Sequence, residues 1–177
     1  MAFLVGRTLN PKSGVCAYPV QKTVTGREIW AGSGDTGTFC NYYSFEEIKH
    51  DNQANENVLI ISITHDIVDD VMAYLTENSI AVNTVYIVKG LELGHEVIKD
   101  GMQCWSFAAY IAKHFSNRKQ SEKNHTTHIF VSAPNALMFA LGKFSLNMGV
   151  LMLYEHNLGT TKAETYVKSL QLPLKGE

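Results

Sequence analysis

The run Val58-Leu59-Ile60-Ile61-Ser62-Ile63 constrains this chain more than any other stretch. A continuous apolar segment of strand length has no polar side to offer water, so it fits a strand covered on both faces, as in a parallel sheet. It stops at the polar Thr64-His65-Asp66, after which Ile67, Val68, Val71, Met72 and Leu75 recur at helical spacing. Either Asp66 or Thr64 is placed to cap the first turn. Strand, polar turn and helix therefore follow one another.

The same unit recurs downstream. Val82 to Val88 predicts a second strand, followed by a loop carrying Lys89-Gly90 and Gly94-His95. Met102, Trp105, Phe107, Ala108, Ala109, Tyr110 and Ala112 predict an apolar helix to about Phe115, with Trp105 and Phe107 in the core. His128 to Val131 predicts a third buried strand. Ser132-Ala133-Pro134-Asn135 opens the next helix, where proline is tolerated because its missing donor is not needed in the first turn. Gly149 to Tyr154 predicts a fourth strand, and Glu164 to Leu170 alternates as an edge strand or hairpin arm. Strands alternating with helices imply an α/β fold with right-handed crossovers: a Rossmann-like parallel sheet flanked by helices, expected over residues 57–177.

Residues 1–56 read as an irregular, β-containing N-terminal part. Gly32, Gly34 and Gly37 mark turns, and Asp51 to Glu56 has linker character. Tyr18 to Val24 and Thr38 to Phe45 are rich enough in β-branched and aromatic residues for short strands, although Tyr43 to His50 fits a helical turn as well.

Charge and cysteine content exclude several functions. Fifteen Lys and Arg against seventeen Asp and Glu give a formal net charge of −2, which argues against a protein that grips duplex nucleic acid through its phosphates. No apolar run approaches the length of a membrane span and the N-terminus lacks a secretory signal, so a soluble, cytoplasmic protein without a membrane partner is expected. Cys16, Cys40 and Cys104 form no Cys-x-x-Cys pair and are expected to be reduced thiols. His125 and His128 are spaced i, i+3 at a strand entry with no matching ligand cluster, so no metal is expected.

In open α/β sheets, ligands bind beyond the carboxyl ends of the strands, where helix N-termini present N–H groups. Two such ends are explicit: Ser62-Ile63-Thr64-His65 and Ser132-Ala133-Pro134-Asn135. Gly-x-Gly-x-x-Gly, the P-loop and Gly-x-Ser-x-Gly are all absent, which removes the main supports for dinucleotide, nucleotide-hydrolase and nucleophile-elbow chemistry. No catalytic residue and no cofactor are assigned. From the residues alone, Thr64 and Ser132 serve either as helix caps or as donors to a phosphate or base edge. His65, at the same strand end, either contacts a ligand or caps. Lys89 and Gly90 are candidates for an anion, and Trp30, in a Gly-flanked loop, for stacking on a base.

Four stretches resemble a known family: HIFVSAPNALMFALG at 128–142, GVLMLYE at 149–155, LIISITH at 59–65 and YVKSLQLP at 166–173. A strand ending in a small-residue-Pro turn, a helix with a Leu-Gly step and a final strand ending in Tyr-Glu are similar to the closing segment of SAVED domains. The resemblance covers roughly residues 55–173 and implies a CARF-like sensor of cyclic oligonucleotide second messengers in bacterial antiphage defence, in CBASS or type III CRISPR. It implies ligand-promoted homo-oligomers that switch on a nuclease, TIR or protease effector. The residues that position alone singles out, Ser62, Thr64, His65, Lys89, Gly90, Ser132, Pro134, Asn135 and Trp30, are then the ligand-binding candidates. A CARF-like ring nuclease that cleaves the messenger is the alternative. At 177 residues the chain is short for two complete CARF-like halves and an effector. Residues 1–56 would then be a reduced or partial first half, or the chain would partner a separate effector or belong to a longer protein.

Overall fold

The apolar run that dominates the sequence forms strand β4 (Glu56–Ser62), in which Val58 to Ile61 are fully buried. The structure, a computed structural model, describes residues 1–33, 43–50, 53–157 and 165–174. Gly34, Gly37, Cys40, Asp51, Asn52 and Glu164, and most of the strand expected at Thr38 to Phe45, lie outside the described residues. The chain divides into two compact units that interleave along the sequence: Met1–Tyr42, Gly94–Arg118 and Ala133–Met148 make the first, and Tyr43–Leu93, Lys119–Ser132 and Gly149–Glu177 the second.

The second unit holds the sheet. Besides β4 it contains β3 (Tyr43–Lys49), α2 (Val68–Glu77), β5 (Thr84–Gly90), a short helix α4 (Gln120–Lys123), β6 (Thr126–Ser132), β7 (Leu151–His156) and β8 (Tyr166–Leu172). Among the described residues the sheet runs β3-β5-β4-β6-β7-β8. Its inner strands β5, β4, β6 and β7 are parallel, as the alternating pattern predicts, and both edges are antiparallel. The β7–β8 link is too short for a crossover helix, so the chain returns antiparallel. The stretch Tyr43 to His50, which fits a strand or a helical turn by sequence, supplies the edge strand β3 over Tyr43–Lys49.

Helix α2 buries Val71, Tyr74 and Leu75 in one cluster with Val58 and Ile60 of β4, Val85 and Ile87 of β5 and Phe130 of β6. The i, i+3, i+4 spacing read from the sequence therefore faces the sheet. Phe130 stacks on Tyr154 at 4.3 Å, and Tyr74 meets Phe130, Tyr154 and Tyr166 edge-on at 5.8, 5.7 and 5.6 Å.

Beside these rings, His128 is 3% exposed, its Nδ1 2.9 Å from the Tyr154 hydroxyl and its Nε2 3.4 Å from Glu56 Oε2. Burial pushes its pKa down, and Lys168 adds to this while Glu56 opposes it. The unfolded chain, with an ordinary histidine near ~6.5, takes up a proton before the folded one does, so this contribution is full above that value and is lost as pH falls toward the lowered folded-state value. Denaturant unfolding from about pH 7.5 to about pH 5 should show stability falling with a slope that His128→Gln flattens. An unchanged slope would mean that His128 titrates alike in both states.

The first unit is mainly helical. It contains α1 (Ala2–Thr8), the hairpin β1 (Val20–Thr23) and β2 (Gly26–Ile29), α3 (Gly101–Ser116) and α5 (Asn135–Phe144). Asp100 caps α3 by accepting from Gln103 N–H at 2.8 Å. Trp105 and Phe107 are buried, as expected, and Trp105 meets Tyr18 and Phe144 edge-on at 5.7 and 5.8 Å. Arg7, at the end of α1, donates through Nη1 to the Ser145 carbonyl at 3.2 Å and its hydroxyl at 3.3 Å. The α1–α5 crossing is close enough to require glycine on both helices: a Cβ on Gly6 would collide with the Phe139 carbonyl, and one on Gly142 with the Phe3 carbonyl.

Candidate functional site

Register assembles the site before any side chain does. Ser62 on β4 is the cross-strand partner of Lys89 on β5 and of Ser132 on β6, and Lys89 is in turn the partner of Ser44 on β3. Partners in neighbouring strands share a face. Ser62, Lys89 and Ser132 thus form one row at the carboxyl ends of three parallel strands, on the α2 side of the sheet. Lys89 and Gly90, expected in a loop, are instead the last residues of β5, because pairing with Ser44 and Tyr43 of β3 extends that strand past Val88.

Beyond the row, the turn after β4 folds back onto the end of β6. The N–H groups of Ile63 and Thr64 both donate to the Ser132 carbonyl, at 2.8 and 2.9 Å. Thr64 Oγ1 and Ser132 Oγ lie 2.6 Å apart, and His65 N–H donates to Ser132 Oγ at 3.1 Å. His65 Nδ1 is 3.2 Å from the Thr64 hydroxyl and 3.3 Å from the Ser132 hydroxyl, on an exposed side chain. Hydroxyl protons rotate to suit their surroundings, so this cluster can present donors or acceptors to a polar ligand.

At the entrance to α2 the cap on the first turn comes from Asp66 rather than Thr64, and two of the backbone donors expected to be free are engaged. Ile67 N–H donates to Ser62 Oγ at 3.2 Å and Val68 N–H to Asp66 Oδ1 at 3.2 Å, so these two donors are already taken. Ile67 itself stands at the N-cap position. Asp66 Oδ2 is paired with Lys89 Nζ. That cation and the Val68 N–H hold the Asp66 carboxyl below the ordinary carboxylate range. The pairing with Lys89 is the contact that sequence reasoning missed, since 23 residues separate the partners and only the sheet register joins them.

The remaining candidates belong to the first unit. Pro134 stands at the N-cap of α5, its carbonyl accepting from Leu137 N–H at 3.0 Å, and Asn135 is exposed at the first helical position. Trp30 is corrected: it is 3% exposed, and its carbonyl accepts the Trp105 Nε1–H at 2.8 Å. The glycines around it admit neighbours rather than confer freedom, since a Cβ on Gly32 would lie 2.7 Å from the Trp105 ring and one on Gly101 2.6 Å from the Trp30 carbonyl carbon. A base has no face of Trp30 to stack on. Among the described residues no three His, Cys, Asp or Glu side chains converge as metal ligands, and no helix is long and apolar enough to cross a membrane.

Comparison with known proteins gives the same fold at nearly full coverage. A structure of the Acinetobacter baumannii Cap4 SAVED/CARF-domain containing receptor with the cyclic trinucleotide 3′3′3′-cAAA superposes with a TM-score of 0.73 at 14% identity, over 98% of this chain and 36% of that one. The same receptor with 2′3′3′-cAAA gives 0.72 at 14% identity and the same coverage, and the Moraxella osloensis Cap4 receptor gives 0.61 at 12% identity over 97% of this chain and 34% of that one. CD-NTase-associated protein 4 of Enterobacter hormaechei subsp. hoffmannii (strain UCI 50) is 26% identical over 176 residues, 97% of this chain and 34% of the relative. The chain thus spans about a third of the length of the relatives it matches. The family described as SAVED, the SMODS-associated and fused to various effectors sensor domain, matches residues 1–172, and the chain belongs to it.

Proposed function

We propose that this chain is a receptor module for a cyclic oligonucleotide second messenger in CBASS antiphage defence. The ligand's phosphates and base edges are received at the rim formed by Thr64, His65, Lys89 and Ser132, whereas Ser62, fully buried, holds the turn from beneath through the Ile67 N–H. The observation that carries this reading is the Lys89 ammonium and the Ser132 hydroxyl set on either side of buried Ser62 across the carboxyl ends of three parallel strands, where open α/β sheets bind ligands. A small cyclic ligand carries few charges, so hydroxyl donors and one cation compensate it without a basic surface, in keeping with the net charge of −2. The Acinetobacter baumannii receptors of the same fold are bound to cyclic trinucleotides, which makes that ring size the first to try. In this reading an effector, supplied by a longer chain or a partner, responds to ligand-driven assembly.

Isothermal titration with cyclic di-, tri- and tetranucleotides tests the proposal, and heat with none of them overturns it. Each of Thr64→Ala and Ser132→Ala should weaken binding about fivefold, the value of one hydrogen bond near ~1 kcal/mol. Unchanged affinity in both variants moves the site elsewhere. His65 Nδ1, within 3.3 Å of two hydroxyls, favours a second reading in which the rim also cleaves its ligand. Linear products from an incubation with the messenger would establish it, and intact ligand after hours would leave sensing alone.

A further inference from the structure

We propose that Asp66 is a displaceable internal substitute for the ligand's phosphate: its carboxylate engages the Lys89 ammonium, and an arriving phosphodiester takes over that cation to seat in the rim. The inference rests on the reading of the rim as a cyclic oligonucleotide site and adds how its occupancy is controlled.

Asp66 and a phosphodiester have the same chemistry at this corner, one negative charge shared by two oxygens. One carboxylate oxygen is paired with Lys89, and the other accepts the Val68 N–H at 3.2 Å. A single internal anion thus satisfies a cation of the ligand row and a donor of the adjoining helix turn together. The pair lies at the surface, with side chains 38% and 44% exposed for Lys89 and Asp66, so a competing anion reaches it from solvent. Exposed ion pairs are weak and screened, and can be exchanged rather than broken at great expense. Held below the ordinary carboxylate range, Asp66 stays charged at neutral pH, and Lys89 stays neutralised until an anion replaces it. A neutral base edge cannot do this, so the pair favours ligands that bring phosphate to Lys89.

Asp66→Asn tests the inference, because asparagine is as good an acceptor for the Val68 N–H but carries no charge. Titration with the same cyclic di-, tri- and tetranucleotides should show binding tightened about three- to tenfold, with an unchanged thermal midpoint. Asp66→Ser, another neutral cap, should behave alike and provides a second variant should one fail to fold. In a Lys89→Ala background the gain should vanish, since the carboxylate then has no cation to release. A gain dependent on Lys89 supports the inference. Equal affinity of parent and Asp66→Asn overturns it while leaving the receptor reading intact. A gain that persists without Lys89 also overturns it, in favour of simple repulsion between carboxylate and ligand. Absence of binding by parent and variant alike overturns both.

Discussion

A Gly142→Ala chain should melt far below its parent, with a loss of about 3 kcal/mol or more and about 10 °C in Tm for a chain of this size. The cause is close approach of backbone to backbone. A Cβ at Gly142 would collide with the Phe3 carbonyl oxygen and would lie 3.0 Å from the Arg7 nitrogen, both main-chain atoms of α1. Neither can swing aside as a side chain would, so α1 must lift from α5 and loosen the Arg7–Ser145 hydrogen bonds. Gly6→Ala, which meets the Phe139 carbonyl from the other helix, should do the same. Thermal melts followed by far-ultraviolet circular dichroism measure this. A Gly142→Ala chain melting with the parent would mean that α1 does not lie against α5.

The second large effect concerns binding. Lys89→Glu should reduce affinity for a cyclic oligonucleotide about a hundredfold or more. Removing a charge-assisted hydrogen bond forfeits about 1.5–3 kcal/mol, and the reversed charge adds repulsion against the phosphate. The fold should tolerate the change, because Lys89 is only half-buried at the end of β5 and its strand pairing with Ser44 and Ser62 is made by the backbone. Titration calorimetry beside a melting curve separates the two effects. Binding within threefold of the parent in a folded Lys89→Glu chain would remove Lys89 from the site.

The elements legible in the sequence are those whose local pattern and tertiary role agree. β4, β6 and α2 read correctly because continuous apolar runs and a 3.6-residue stripe are what burial in this sheet requires. Strand β3 is ambiguous by sequence because Tyr43–Lys49 carries Glu46 and Glu47 and leaves much of its length exposed, as a strand paired, among the described residues, only with β5 can. Helix α1 was not foreseen: seven residues with a central glycine and no side-chain cap give little local signal, and contact with α5 supplies what propensity does not. Trp30 misled because flanking glycines suggest freedom, whereas here they admit Trp105 and the start of α3.

At the candidate site, the sequence supplied Ser62, Thr64, His65, Lys89 and Ser132 as polar residues at or near strand ends. That three of them form one row followed only from register, as did the pairing of Lys89 with Asp66, which turns an apparent helix-cap acid into part of the rim.

The most direct test of the rim as a nucleotide receptor is a chemical-shift titration of isotopically labelled protein with 3′3′3′-cAAA. The account predicts that the largest perturbations fall on Ser62, Thr64, His65, Lys89 and Ser132. Saturable shifts that leave these five residues still while moving others would contradict it.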